Sequence, residues 1–192
     1  MPNISDADLI KRAQNRQKDP AAGAEAVGEL YDRYHVSIYR YIWSRVSDQQ
    51  LAEDLTGDVF TSMVINLPRY RFIGTPFQAW LYRIARNLII DSHRKASSRN
   101  EVPLDEVVNS SAGDHDPSQI VEDQIVVEQV QAVLGELKPL KQDVLILRFI
   151  VGLSLNEVAS ILGRTIGSVK VTQHRALREL RTILESQIGE AK

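Results

Sequence analysis

Cysteine is absent from this chain of 192 residues, which excludes disulfides and thiolate metal sites. A reducing compartment is compatible with that absence but not required by it. No apolar run approaches the roughly 18 residues that a membrane-spanning helix needs. The first residues carry no basic-then-apolar signal, so the expectation is a cytoplasmic protein without membrane insertion. Motifs of the common enzyme classes are missing too. There is no Gly-x-x-x-x-Gly-Lys loop, no His-Glu-x-x-His and no Gly-x-Ser-x-Gly. No catalytic activity and no cofactor are therefore expected. Four histidines, His35, His93, His115 and His174, stand at no metal-ligand spacing. Asp114-His115-Asp116 falls in an acidic stretch and reads as solvated, so no metal site is expected. No strand signal or internal repeat is visible.

What remains is a helical, globular composition, 43% hydrophobic and 25% charged, long enough for one large or two small domains. The net charge of −2 conceals a strong segregation. Between Arg69 and Arg99 seven basic residues face the single acid Asp91, a net of +6. Between Glu101 and Glu136 nine acids stand with no Lys or Arg, a net of −9. From Arg164 to Leu184 five basic residues oppose Glu179, a net of +4. Two basic blocks flanking an acidic one provide two candidate phosphate-binding surfaces.

The second basic block has the sharpest local pattern. Leu155, Val158, Ala159, Ile161 and Leu162 give one short helix an apolar face. Gly163 stands where the chain must leave that helix and turn, and Thr165 can cap the next. Val169, Ala176 and Leu180 then line one side, with Lys170, His174, Arg175, Arg178 and Arg181 on the others. This is the pattern of a helix-turn-helix, whose second helix enters the DNA major groove. The competing reading is an amphipathic hairpin with a solvated basic face. On the DNA reading, Lys170, His174 and Arg175 reach base edges, while Arg164 and Ser168 hold phosphate and Arg178 sees backbone or solvent.

Upstream, the spacing predicts helices from Ser5 to about Gln17, from near Ala24 to Val46, from Asp48 to Asn66 and from Phe77 to Lys95, with Asp19-Pro20 and Pro68 as interruptions. Periodicity fails from about Ala96 to Gln119, where Ser, Pro and acids dominate, and this reads as an extended linker. It returns at Ile120. A further helix starts at Pro139 and ends at Gly152. The expectation is an all-α chain of two small helical domains, residues 1–96 and 120–192, joined by a flexible acidic linker over 97–119.

The first basic block mixes Tyr70, Phe72, Phe77, Trp80 and Tyr82 with cations, a combination that binds single-stranded nucleic acid. Trp80, Leu81, Ile84, Ala85 and Leu88 follow helical spacing and read as core. Arg83, Arg86, Asn87, Arg94 and Lys95 are the candidate DNA contacts. The loop Phe72-Ile73-Gly74-Thr75 is a candidate pocket for one flipped base. The acids Glu53, Asp54 and Asp58 read either as a solvated face or as a protein dock.

In this order the parts resemble a bacterial extracytoplasmic-function (group four) sigma factor of the sigma-70 family. Leu30-Tyr31-Asp32-Arg33-Tyr34 resembles the opening of the family's second region. The stretch from Ala52 to Phe60 resembles its core-binding helix, with Gly57-Asp58 where Gln-Glu is usual. Thr75 to Asn87 is similar to its promoter-melting helix. Leu137 to Phe149, with the helix-turn-helix after it, resembles its fourth region. The resemblance implies a polymerase subunit for promoter-specific initiation. The β′ clamp helices would dock on Glu53, Asp54 and Asp58. The −10 element would meet Phe72, Ile73, Gly74, Thr75, Arg83, Arg86 and Asn87. The −35 element would be read by the recognition helix, including Lys170, Val171, His174 and Arg175, with the β flap as the second polymerase contact. It also suggests an anti-sigma partner. The alternative is a stand-alone helix-turn-helix regulator that binds an operator without the polymerase.

Overall fold

A computed structural model describes residues 4–46, 48–71, 76–99 and 130–190. All regular structure among the described residues is helical. Helix α1 (Asp6–Gln14) is capped by Ser5, whose hydroxyl accepts from the Asp8 backbone N–H, and α2 spans Pro20–Trp43. The Asp19-Pro20 pair separates α1 from α2 as expected, and it also starts α2, four residues ahead of the expected Ala24. Asp19 accepts from the Ala22 N–H, and Pro20 occupies the first turn, where no amide hydrogen is needed. Gly23 lets the turn between α1 and α2 pass close to the start of α2, because a Cβ there would lie 2.4 Å from the Cβ of Arg16.

Helix α3 (Gln49–Asn66) begins at the Asp48 cap and passes into a 3-10 turn, Leu67–Arg69. Helix α4 (Phe77–Arg99) continues past Lys95 into the first residues expected to be linker. Residues 100–119 of that linker, and the loop Phe72-Ile73-Gly74-Thr75, lie outside the described residues. The core of this first half holds Leu30, Ile38, Ile42, Val59, Met63 and Leu81, each fully buried. Burying one such side chain contributes about 1.5–3 kcal/mol.

The chain is helical again over residues 130–135. Helix α5 (Pro139–Leu145) runs into a π turn, Ile146–Ile150, in which the Val151 N–H donates to the Ile146 carbonyl at 2.9 Å. The expected single helix up to Gly152 thus changes winding halfway. Helix α6 (Leu155–Leu162) opens with a reciprocal cap between Ser154 and Glu157. Gly163 takes φ +62, a left-handed conformation that a Cβ disfavours. Thr165 caps α7 (Ile166–Glu190) by accepting from the Ser168 N–H at 3.2 Å. Helix, glycine turn and capped second helix therefore stand as the sequence implied. The buried residues of both halves form one continuous cluster, with α4 packed on α6 and α2 on the π turn.

Candidate nucleic-acid interface

The outer face of α7 is built by subtraction. Val169 and Ala176 are buried and anchor the helix on α6 and α5. Glu179, its one acid in this stretch, is drawn inward onto Lys141 of α5. Lys170, Val171, His174, Arg175 and Arg178 are left exposed, at positions i, i+1, i+4, i+5 and i+8, one side of a helix. None of the ion pairs among the described residues involves Lys170, Arg175 or Arg178. Arg164 is exposed beside Gly163, and Ser168 is half-buried in the first turn. Arg181, further along, pairs with Glu185 at 2.7 Å. A cationic row on a helix held from behind by a second helix can lie along a major groove.

The first-half candidates are arranged differently. Leu81 and Ala85 are fully buried, and Trp80, Ile84 and Leu88 pack against the core, as their spacing implied. Arg83, Arg86 and Asn87 leave the opposite side of α4. Asn87 is exposed. Arg83 donates from Nη2 to the Ser160 carbonyl at 2.6 Å and from Nε to the Ile161 carbonyl at 3.3 Å. Those carbonyls close α6 and carry the negative end of its dipole. Arg86 donates to Asp143 Oδ2 at 2.8 Å.

Asp143, on α5, was not legible as a functional residue, yet it joins the two halves. It is 1% exposed. Tyr41 donates to its Oδ1 at 2.9 Å, and Arg45 Nε stands 3.5 Å from the same oxygen. Burial, reinforced by the Asp143 charge, holds the Tyr41 phenol well above the ordinary tyrosine range. Arg45 also donates to Gln142, and Gln131 donates to the Trp43 carbonyl. The only sequence signal for Asp143 was an acid beside the apolar stripe of α5. Its partners lie 57 and 102 residues away.

On α3, Glu53, Asp54 and Asp58 are exposed. Glu53 and Asp54 accept hydrogen bonds from Gln49 and Gln50, one turn earlier. Asp54 and Asp58 edge a groove floored by Leu55 and Leu88 and closed on its far side by Arg94 and Lys95. Sequence reasoning missed the neighbouring aromatic trio. Tyr31 stacks on His35 with centroids 4.7 Å apart and meets Phe60 edge-on at 4.7 Å, while remaining 41% exposed. Among the described residues there is no group of three metal-ligating side chains and no helix long and apolar enough to cross a membrane.

Residues 30–99 match the family model for Sigma-70 region 2, and residues 133–182 that for Sigma-70, region 4. The chain is 34% identical over 177 residues to the ECF RNA polymerase sigma factor BldN of Streptomyces coelicolor, covering 92% of this chain and 65% of BldN. It is 35% identical to the ECF RNA polymerase sigma factor SigD of Mycobacterium tuberculosis, over 84% of this chain and 78% of SigD. Its fold is that of CnrH, solved in complex with the cytosolic domain of CnrY, with TM-score 0.71, 23% identity and coverage of 94% and 97% of the two chains.

Proposed function

The chain belongs to the extracytoplasmic-function branch of the sigma-70 family, and from that premise we propose that it joins core RNA polymerase and directs promoter-specific initiation. The work divides between a region 2 module over residues 1–96, a region 4 module over 120–192 and the acidic connection over 97–119. The row Lys170, Val171, His174, Arg175 and Arg178 reads the −35 element, with Arg164 and Ser168 on flanking phosphates. Phe72, Ile73, Gly74 and Thr75 take a base of the −10 element, and Arg83, Arg86 and Asn87 follow the strand beside it. Glu53, Asp54 and Asp58 dock the β′ clamp helices, with the Tyr31, His35 and Phe60 trio as the apolar anchor that such an interface needs. The β flap meets region 4. An anti-sigma factor is the expected regulator.

The observation that carries this reading is one chain holding an unpaired cationic recognition face and a region 2 module, in family order. A stand-alone regulator would need the first and leave the second unused. The isolated chain has Arg83 and Arg86 engaged by its own second half, and on this reading core polymerase must separate the halves before both elements can be reached. Band-shift titration at fixed salt provides the test. Weak binding of promoter duplex by the chain alone, and tight sequence-specific binding with core enzyme, is the expected result. Tight operator binding by the chain alone would favour the stand-alone regulator.

A further inference from the structure

The contact between the halves leaves positive charge over. Among the described residues, Asp143 is the one carboxylate within ion-pair range of Arg45 or Arg86, and it serves both, at 3.5 Å and 2.8 Å. The Arg45 side chain is 5% exposed, and its Nε is buried without a hydrogen-bond acceptor. Its other partner, the Gln142 side chain, is neutral. One carboxylate against two cations, one of them out of water, is an incomplete balance, because a buried charge is stabilised only when it is both paired and hydrogen-bonded.

Arg45 lies in the wall of a groove of about 720 Å³ that runs between the halves. The first half also supplies His93 and Arg94, both exposed on α4. Arg94 pairs with Asp91 at 3.9 Å, with both side chains more than half exposed, a contact that contributes little. Ile90 from the first half and Leu137 and Pro139 from the second give the groove an apolar surface, and among the described residues no carboxylate lines it. Its size falls in the range of small-molecule sites, about 300–1,000 Å³, which favour the boundary between domains. Guanidinium groups match phosphate oxygens in pairs. Duplex DNA is the poorer occupant, since the groove exists only while the halves are docked and promoter reading needs them apart.

We propose that this groove binds a small phosphorylated molecule of nucleotide size, its phosphates on Arg45, His93 and Arg94 and its apolar body on Ile90, Leu137 and Pro139, and that the bound molecule holds the two halves together. The binding stands on the docked geometry alone; its consequence for core polymerase rests on the proposed function.

The test is calorimetric titration of the full chain with adenosine 5′-diphosphate (ADP), inorganic pyrophosphate and adenosine at constant ionic strength. ADP should bind saturably at one molecule per chain, pyrophosphate more weakly and adenosine not at all. Arg94→Glu, at an exposed position that should leave the melting temperature unchanged, should weaken ADP about tenfold or more, the loss of a charge-assisted contact. Arg12→Glu, an equal charge reversal at an exposed position of α1 outside the groove, should not. In a core-binding titration of dye-labelled chain, ADP at about ten times its Kd should raise the apparent Kd for core roughly elevenfold, as a ligand confined to the docked form requires. No saturable binding of ADP or pyrophosphate overturns the proposal, and so does equal weakening by the two substitutions, which would mark unspecific charge attraction. Core affinity indifferent to bound ADP overturns the bridging role. A chain that never binds core defeats the functional reading alone, because the ADP titration still decides the site.

Discussion

Replacing Asp143 by Asn should open the free chain. The substitution keeps shape and hydrogen-bonding oxygen but removes the charge that faces Arg86 at 2.8 Å and Arg45 at 3.5 Å. Arg45 is only 5% exposed at its side chain, so its charge would be left buried without compensation. Removing one partner of a buried pair costs about 3–5 kcal/mol. Among the described residues the side-chain partners of Asp143 are Tyr41 in α2, Arg45 just past its end and Arg86 in α4, all in the first half, so the loss falls on the docking of the halves rather than on the region 4 fold. Taking the lower figure, the ratio of closed to open molecules falls on the order of a hundredfold. Apparent DNA affinity scales with the competent fraction, so the lone variant should bind promoter duplex more tightly by up to that factor. The absence of native cysteine allows a single pair of dyes at Val36→Cys and Glu185→Cys, both exposed positions. Energy transfer between them should drop in Asp143→Asn, and anisotropy titration should show the tighter binding. Unchanged energy transfer with affinity within twofold of wild type would refute the charge argument.

The other expectations follow from single sites. Arg83→Ala with Arg86→Ala should loosen the free chain yet impair promoter opening in the holoenzyme; permanganate footprints of wild-type strength would contradict the −10 assignment. Arg175→Ala should lose about 1–3 kcal/mol of discrimination at one base pair of the −35 element, whereas uniform weakening on all promoters would mark a phosphate contact. Gly57→Ala should raise stability by about 0.5–1 kcal/mol in thermal melts, because Gly57 is exposed inside α3 and a Cβ there meets nothing within 4 Å; a lowered melting temperature would count against this. Burial pushes the Tyr82 phenol up to about 12 from 10.0. The folded state therefore holds its proton after the unfolded state releases it, and about 3 kcal/mol should drain away as pH rises from 10 toward 12. Tyrosinate absorbance should then grow in step with loss of helicity, and full ionisation of a still-helical chain would contradict the assignment.

Much of the fold was legible because its signals are local. The Gly163 turn, the Thr165 cap and the stripes of α3 and α4 each lie within a few residues of their cause. The break at Pro20 was legible, but the start of α2 was placed four residues late, because proline breaks a helix interior yet also starts a helix, and the Asp19 cap that marks the start was not used. The Ser154 and Glu157 cap was also readable, as a serine followed three residues later by a glutamate. Asp143 was not. Its partners lie more than fifty residues away, and a pairing at that separation leaves no periodicity. For the same reason Arg83 and Arg86 could be identified as outward-facing cations while their engagement by α6 and α5 could not. The exposed Lys170, His174, Arg175 and Arg178 of α7 were legible from helical phase alone, whereas Val171 came only from the family resemblance and the pairing of Arg181 with Glu185 was not foreseen.

Run-off transcription with core RNA polymerase on genomic DNA, followed by mapping of the 5′ ends, bears most directly on what this chain does. Adding the purified chain should create a set of start sites absent with core alone, sharing upstream elements near −10 and −35. The same start sites with and without the chain, or no co-elution with core, would show that the two modules do not serve initiation.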